Sequence, residues 1–134
     1  MGIIFDTTAI ITIERSHESI DALIAGRREE FFGISIVTTA ELLHGVERAD
    51  TEERKLRRQA FVEKVIEYFP AFPFDLTVSR IYARIWAGIA RKGWTVGAHD
   101  LIIAATAISR DYAVATANIR DFEKIPGLKI ELLS

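Results

Sequence analysis

The chain has 134 residues, a formal net charge of −2 at pH 7 and no cysteine. This length suits one domain over residues 1–134, and the absence of cysteine excludes disulfides, thiol nucleophiles and CxxC zinc sites. The slight negative charge argues against a protein that coats nucleic acid through bulk positive charge, although not against an enzyme that contacts a few phosphates. Because we find no secretory leader, lipidation motif or membrane-length apolar run, we expect a cytoplasmic protein without a membrane partner.

Apolar periodicity predicts strands that alternate with helices along the chain. In chain order, the predicted elements are a strand at residues 3–5, a helix from 7 or 8 to 13, a helix capped by Ser16 and ended by Gly26, a strand at 31–37, a helix capped by Thr38, a helix at 51–69, a short strand at 71–74, helices at 76–91 and 98–109, and strands at 112–115 and 128–132.

The predicted strands are apolar on both faces. That pattern is typical of a parallel sheet covered by helices on each side, so the fold class is α/β with about five parallel strands. In such sheets, ligands bind at the edge formed by the carboxyl ends of the strands.

Acidic residues cluster at this edge in the predicted topology. Asp6 directly follows the first strand, and Glu41 lies in the first turn of the helix after the second. Asp100 lies in the first turn of the helix before the fourth strand, and Asp121 lies a few residues beyond that strand. Since each helix runs opposite to the strands, its N-terminus lies at their carboxyl edge. The sequence therefore predicts that all of these acids share one edge.

Each acid also has a purely structural interpretation. Thr38 and Glu41 fit a capping box, Asp100 could complement a helix dipole, and Asp6 and Asp121 could cap helices. These roles explain each position but not the coincidence of all of them at one edge. An ionised carboxylate beside apolar segments is costly unless it is paired, and a bound cation would remove that cost. Oxygen-only ligands favour Mg²⁺ or Mn²⁺, which suit phosphodiester hydrolysis.

The chain resembles the PIN-domain ribonucleases, and within them the VapC toxins of toxin–antitoxin pairs. The resemblance rests on short blocks in order along nearly the whole chain. These blocks are Asp6-Thr7 after an apolar strand, Ser35-x-x-Thr38-x-x-Glu41-Leu42 with Gly45 beyond, Asp100-x-x-Ile103-Ala104-Ala105, Thr116-Ala117-Asn118-x-x-Asp121-Phe122, and Pro126-Gly127-Leu128.

The resemblance implies a sheet of about five parallel strands, with Asp6, Glu41, Asp100 and Asp121 as catalytic ligands for Mg²⁺ or Mn²⁺. It implies an endoribonuclease that cleaves RNA, forms a homodimer and is neutralised by a DNA-binding antitoxin. The chain departs from the family pattern at Thr8, where Asn is common, and at Ala117, where Arg or Asn is common. These departures put substrate preference in doubt rather than activity.

Polar residues near the acids are candidates for orienting the carboxylates or a metal-bound water. They are Thr7, Thr38, Thr116 and Asn118. The histidines are interpreted as surface residues, at positions His17, His44 and His99.

Cationic side chains share one face of the helix at residues 76–91. Arg80, Arg84 and Arg91, with Lys92, could contact RNA phosphates, although a merely solvated face is the simpler interpretation.

The predicted first two helices are rich in apolar residues, more than one short sheet face could cover, which favours a homodimer. These residues are Ile10, Ile11, Ile13, Ile20, Leu23 and Ile24.

Two other functions remain open from the sequence. The first is a phosphoacceptor receiver domain with Asp75 as acceptor and Asp6 as magnesium ligand. It lacks a second acid near Asp6 and a lysine that ends strand five, since Lys129 begins that strand, and it leaves Glu41 and Asp100 unexplained. The second is a PIN-like RNA-binding module without turnover, which the intact set of carboxylates argues against.

Overall fold

A computed structural model describes residues 2–16, 19–26 and 31–132. Strands and helices alternate along the chain, as the apolar periodicity predicts. The elements are β1 Gly2–Phe5, α1 Thr7–Ser16, α2 Ile20–Ala25, β2 Phe31–Ser35, α3 Ile36–Glu47, α4 Glu52–Tyr68, β3 Ala71–Phe72, α5 Leu76–Arg91, α6 Ala98–Arg110, β4 Ala113–Thr116, a 3₁₀ turn Phe122–Lys124 and β5 Lys129–Leu132.

The strands form one five-stranded sheet in the order β3-β2-β1-β4-β5, and every neighbouring pair is parallel. In the central strand, Ile4 lies beside Gly33 of β2 and Val114 of β4. The chain moves from β1 outward through β2 and β3 and then returns to the other side of β1. The carboxyl ends of β1 and β4 therefore flank the point where the direction of winding reverses, which is where ligands bind in open α/β sheets.

Side chains of β1 alternate between two hydrophobic cores. Ile3 and Phe5 pack with α1 to α4 on one face, where the Phe5 and Phe69 rings meet edge to face at 5.6 Å. Ile4 packs on the other face with α5, α6 and the segment that leads into β5. Burial on both faces confirms the predicted α/β architecture. No helix within the described ranges is long and apolar enough to cross a membrane.

The predicted caps of α2 and α3 are wrong. Helix α1 continues through Ser16, whose hydroxyl donates to the Ile13 carbonyl at 2.8 Å, and Ser19 caps α2 by accepting from the Ala22 amide at 3.0 Å. Helix α3 is capped by Ser35, which accepts from the Val37 amide at 3.2 Å.

Strand β2 therefore ends before residue 36, and Thr38 is a fully buried residue inside α3. Glu41 consequently lies in the second turn of α3, and the capping-box interpretation of Thr38 and Glu41 fails. More than one Ser or Thr residue could cap each of these helices. The residue that does so is the one at which the chain leaves the preceding strand or helix. Strand β3 is likewise shorter than predicted, because Pro73 has no amide to continue the ladder.

Most of the described apolar residues of the first two helices are covered within the monomer. Ile10, Ile13 and Ile20 are 1%, 6% and 3% exposed because they pack into the core beside β1, and Ile11 is partly buried against it. The side chains of Leu23 and Ile24 lie outside the described residues. Helix α4, together with the sheet, covers this surface within the monomer.

We predict that Gly33→Ala destabilises the fold, whereas Gly45→Ala does not. A Cβ at Gly33 would lie 2.6 Å from the Pro70 carbonyl oxygen and 2.5 Å from the Phe72 ring, whereas a Cβ at Gly45 would meet only Arg58, at 3.6 Å. The first contact forces β2 and β3 apart, at a cost of about 1–3 kcal/mol. The second replaces a helical glycine by the best helix former, which favours folding by roughly 0.5–1 kcal/mol. Urea denaturation of both variants measures the difference, and equal midpoints would contradict the packing of β2 against β3.

Candidate active site

Asp6 lies at the junction of β1 and α1 and is 3% exposed. Its amide donates to the Ala115 carbonyl at 3.0 Å and so extends the pairing of β1 with β4. Its Oδ1 accepts from the Ala9 amide and from the Thr8 hydroxyl, both at 2.8 Å, and its Oδ2 accepts from Thr116 at 2.5 Å. Asp6 thus caps α1, as the structural interpretation predicts, and its side chain is also held from β4.

Burial raises the pKa of Asp6 above its usual value. The hydrogen bonds from Thr116, Ala9 and Thr8 oppose this increase, and the nearby charge of Glu41 adds to it. The net shift is upward because desolvation of the carboxylate outweighs the donors that stabilise it. Positive charge nearby would oppose this shift and favour the ionised carboxylate.

Glu41 faces Asp6 from the second turn of α3 and is fixed by two other elements. The Thr7 hydroxyl donates to Glu41 Oε1 at 2.8 Å, and His99 Nδ1 lies 3.6 Å from the same oxygen. Thr7 begins α1 and His99 lies in the first turn of α6. The N-terminal ends of α1, α3 and α6 therefore converge at the carboxyl edge of the sheet.

Asp100 shows that all four acids share one electrostatic neighbourhood. Its pKa is raised to about 6, first by burial and then by the charges of Asp6, Asp121 and Glu41, whereas His99 lowers it. Three separate carboxylates can act on Asp100 in this way only if they lie near it. The four acids therefore converge in the fold. The sequence could not establish this convergence, because it does not give the strand order.

Asp121 lies at the N-terminal end of the 3₁₀ turn but makes no capping hydrogen bond there. Lys124 Nζ instead donates to Asp121 Oδ1 at 3.2 Å and to the Thr95 carbonyl at 3.3 Å. The carboxylate is partly exposed, with a side-chain exposure of 37%. Lys124 thus supplies positive charge at the edge of the acidic cluster.

The predicted orienting residues differ in what they contact. Thr7 and Thr116 donate directly to carboxylates, and the buried Thr38 hydroxyl lies 3.3 Å from that of Thr7. Asn118 contacts no carboxylate among the described residues. Its amide donates to Thr116 at 3.0 Å, and its side-chain oxygen accepts from the Arg120 amide at 3.3 Å. Asn118 therefore shapes the loop that carries Asp121.

Sequence reasoning missed three residues that contact the acids. Thr8, noted only as a departure from the family pattern, donates to Asp6 and accepts from the Ala117 amide at 3.1 Å. The spacing of two residues between Asp6 and Thr8 could have indicated this contact, because a hydroxyl at that spacing readily reaches a carboxylate. Lys124 is three residues after Asp121, within reach along a helical turn. His99 is exposed, as predicted, yet it lies beside Glu41.

The acids are close but do not form a closed ligand shell. Within residues 2–16, 19–26 and 31–132, no three acidic or histidine side chains are arranged to hold a metal ion as they stand. Glu41 is engaged by Thr7 and His99, and Asp121 by Lys124. Side-chain rotation at these two acids would be required to bring their oxygens together.

Comparison with known proteins identifies the family. Residues 3–128 match the PIN domain family. The protein named ribonuclease VapC1 in Rickettsia felis is 36% identical over 137 aligned residues, which cover 100% of this chain and 98% of that protein. The chain belongs to the PIN-domain family, among the VapC ribonucleases.

Other VapC proteins agree with this assignment. A protein named tRNA(fMet)-specific endonuclease VapC in Salmonella typhimurium is 38% identical over 92% of this chain and 91% of its own length. The structure of DNA-bound VapBC from Salmonella typhimurium matches with a TM-score of 0.83 at 36% identity, over 98% of this chain and 97% of that one. VapBC2 from Rickettsia felis, bound to a promoter DNA fragment, has a TM-score of 0.88 at 24% identity with full coverage of both chains, which supports the fold alone.

Membership of the VapC family leaves the receiver-domain interpretation without support. Asp75, its supposed phosphoacceptor, caps α5, where Oδ1 accepts from the Val78 amide at 3.0 Å. The side chain thus has an ordinary structural role.

We predict that Asp100→Asn stabilises the metal-free protein near neutral pH. Because the folded-state pKa is raised from 3.8 to about 6, the folded state keeps a proton that the unfolded state releases. Wild-type stability therefore falls as pH rises between about 4 and 6 and then levels off. Asn avoids this loss, so its advantage should grow by about 1 kcal/mol from about pH 4.5 to about pH 7, after allowance for partial solvent exposure.

Urea denaturation of wild type and Asp100→Asn in EDTA at these two pH values provides the test. Asp111→Asn is the matched control, because Asp111 is exposed and its left-handed φ of 56° is one that Asn tolerates. If Asp100→Asn is the less stable protein at about pH 7, then Asp100 chiefly complements the dipole of α6 and is not repelled by the other acids.

Proposed function

We propose that this chain is the toxin of a toxin–antitoxin pair and an endoribonuclease that depends on Mg²⁺ or Mn²⁺. The observation that supports this function most directly is the convergence of Asp6, Glu41 and Asp121 on Asp100, whose pKa they raise. Membership of the VapC ribonucleases supports RNA cleavage as the reaction, and the cluster of acids offers a site at which this cleavage can occur. The relatives' names indicate RNA as the substrate class.

The donor set fits a hard divalent cation. The acids offer oxygen ligands only, which Mg²⁺ and Mn²⁺ prefer. Among the described residues, Lys124 contacts Asp121 and His99 faces Glu41, whereas no ion pair offsets the burial and repulsion at Asp6 and Asp100. A cation held by Asp6, Glu41, Asp100 and Asp121 would relieve this repulsion. When bound there, it would activate water and stabilise the negative charge that develops on the phosphate.

Residues around the acids set their positions and protonation. Thr8 and Thr116 fix both oxygens of Asp6, so that this carboxylate cannot rotate away from the cluster. Thr7 donates to Glu41 Oε1, and no donor within the described part of the chain contacts the other oxygen of this carboxylate. Lys124 lies beside Asp121 and can contact a phosphate of the substrate when this pair separates. Such orienting contacts are worth about 10- to 100-fold in metal affinity or activity.

We further propose that the chain pairs with a DNA-binding antitoxin. The structures named VapBC from Salmonella typhimurium and Rickettsia felis are described as bound to DNA. This chain has a net charge of −2, so DNA binding by such a complex would depend on the positive charge of the partner.

We predict RNA cleavage only in the presence of Mg²⁺ or Mn²⁺, and its loss in Asp6→Asn and Asp100→Asn. Each change removes a proposed ligand at nearly constant shape, so activity should fall by more than about a hundredfold, beyond the effect of residues that merely orient ligands. Gel analysis of a mixed pool of cellular RNA with Mn²⁺ or EDTA measures the effect. Asp111→Asn, which changes an exposed acid outside the cluster, should cleave as wild type does.

Two results would contradict this proposal. Undiminished cleavage in excess EDTA would exclude the metal role of the carboxylates. RNA binding without cleavage, under every metal condition, would instead support a PIN-like binding module without turnover.

We also propose a homodimer, on a surface other than the one the sequence suggested. Phe74, Leu76 and Trp86, on α5 and the loop before it, are 41%, 67% and 57% exposed. Phe74 and Trp86 both pack against Tyr82, with ring centroids 5.6 and 5.7 Å from it. Large exposed apolar side chains gathered on one segment of a protein commonly mark an interaction surface.

We expect light scattering at about ten micromolar to give the mass of two chains, since obligate dimers persist at such concentrations. Leu76→Asp should shift the protein towards monomer, whereas Leu56→Asp, at another exposed leucine, on α4, should not. A wild-type monomer would contradict the proposal.

A further inference from the structure

A crevice of about 260 Å³ lies between α5, α6 and the segment after the 3₁₀ turn, and the proposed reaction does not use it. Its walls are aliphatic, formed by Ile81, Ile85, Ile89, Ile108 and Pro126. At Gly88 of α5, an added Cβ would meet no atom within 4 Å, so the helix surface is open there. The volume is below the roughly 300–1,000 Å³ of drug-sized sites and suits a single ring system.

The polar side chains that line this crevice are all cationic. They are Arg84, Lys92 and Lys124, and no acidic residue of the described chain lines it. Arg84 and Lys92 have no acidic partner within the described ranges, and Lys92 Nζ lies 4.8 Å above the Trp94 ring. An apolar cleft with three positive charges at its border fits a ligand that carries an anionic group on an apolar, planar body.

Lys124 connects the crevice to the acidic cluster. Lys124 lines the crevice, and its ammonium group donates to Asp121 Oδ1 at 3.2 Å. A group bound in the crevice would therefore lie next to the cluster, where an RNA strand would leave the proposed reaction site. A phosphate there would also compete with Asp121 for Lys124 and so free that carboxylate.

On the basis of the proposed function, we infer that this crevice binds one nucleotide, with its phosphate on Arg84, Lys92 and Lys124 and its base between the isoleucines and Pro126. Proteins commonly hold single-stranded nucleic acid with cationic groups along the backbone and aromatic rings against the bases. Here the isoleucines and Pro126 offer an aliphatic surface in place of the rings. The nucleotide comes either from the RNA substrate, next to the cleaved position, or from free nucleotide. The predicted phosphate role of the α5 face thus belongs to Arg84 and Lys92, since Arg80 and Arg91 do not line the crevice.

Gly88→Leu tests the inference, because it fills the crevice without a clash at Cβ and replaces a helical glycine by a good helix former. Ala87→Leu is the matched control, since Ala87 is exposed on the same helix and does not line the crevice. We expect Gly88→Leu to raise the KM for RNA cleavage about tenfold, the usual size of one base contact. Its kcat should stay within about twofold of wild type. Ala87→Leu should change neither.

A charge variant tests the phosphate contact separately. Lys92→Gln should raise the KM and make the salt dependence of RNA binding in EDTA less steep, whereas Arg91→Gln, on the same helix and outside the crevice, should not.

Binding of AMP, measured by saturation-transfer NMR without metal, distinguishes the RNA substrate from free nucleotide as the source of the bound nucleotide. This measurement does not depend on RNA cleavage. AMP binding that Gly88→Leu abolishes, together with a raised KM, assigns the crevice to the RNA substrate. AMP binding that Gly88→Leu abolishes with an unchanged KM assigns it to free nucleotide. If Gly88→Leu and Ala87→Leu behave alike for both AMP and RNA, the inference is overturned. If wild type binds AMP in the crevice but never cleaves RNA, the proposed function fails and the crevice remains a nucleotide site.

Discussion

Repulsion among carboxylates at one edge of a parallel sheet is the constraint on which this structure depends. Asp6 is buried at the point where the winding of the sheet reverses, and its pKa rises because it has lost water. Asp100 carries the repulsion of three other acids. Placing such charges together costs folding free energy, and a bound cation of the kind proposed above would offset that cost.

The neighbouring residues keep this cluster in place. Thr8 and Thr116 hold Asp6 from two elements that are 108 positions apart in sequence and adjacent in space. Within the described ranges, Lys124 contacts Asp121 and the His99 imidazole faces Glu41. The acids are therefore fixed but not neutralised. The same Lys124 lines the apolar crevice beside α5, so that a nucleotide there would act on the cluster through a single ammonium group.

One local interpretation of these residues is confirmed by the structure and another is wrong. Asp6 caps α1 through the Ala9 amide and also belongs to the acidic cluster, because a helix that starts at the carboxyl end of a strand places its cap at the ligand-binding edge. Thr38 was expected to be a cap and is instead buried inside α3, where its hydroxyl lies beside Thr7. Ser35 takes the capping role because the chain leaves the sheet there. The capping propensity of Ser and Thr identifies several possible caps, and tertiary packing determines which of them is used.

The sequence by itself determined the alternation of strands and helices, the parallel sheet and the position of the four acids at one edge of it, because apolar periodicity and position relative to each strand are local properties. Only the tertiary structure decided the strand order that brings Asp6 and Asp121 close to Asp100. It also decided the partners of the acids, since Thr8, His99 and Lys124 reach them through contacts that depend on how α1, α6 and the loop after β4 pack. It buried Ile10, Ile13 and Ile20 within the monomer, where their hydrophobicity alone suggested a dimer. Side chains that meet across the fold leave no periodic signal along the chain, which is why these contacts required coordinates.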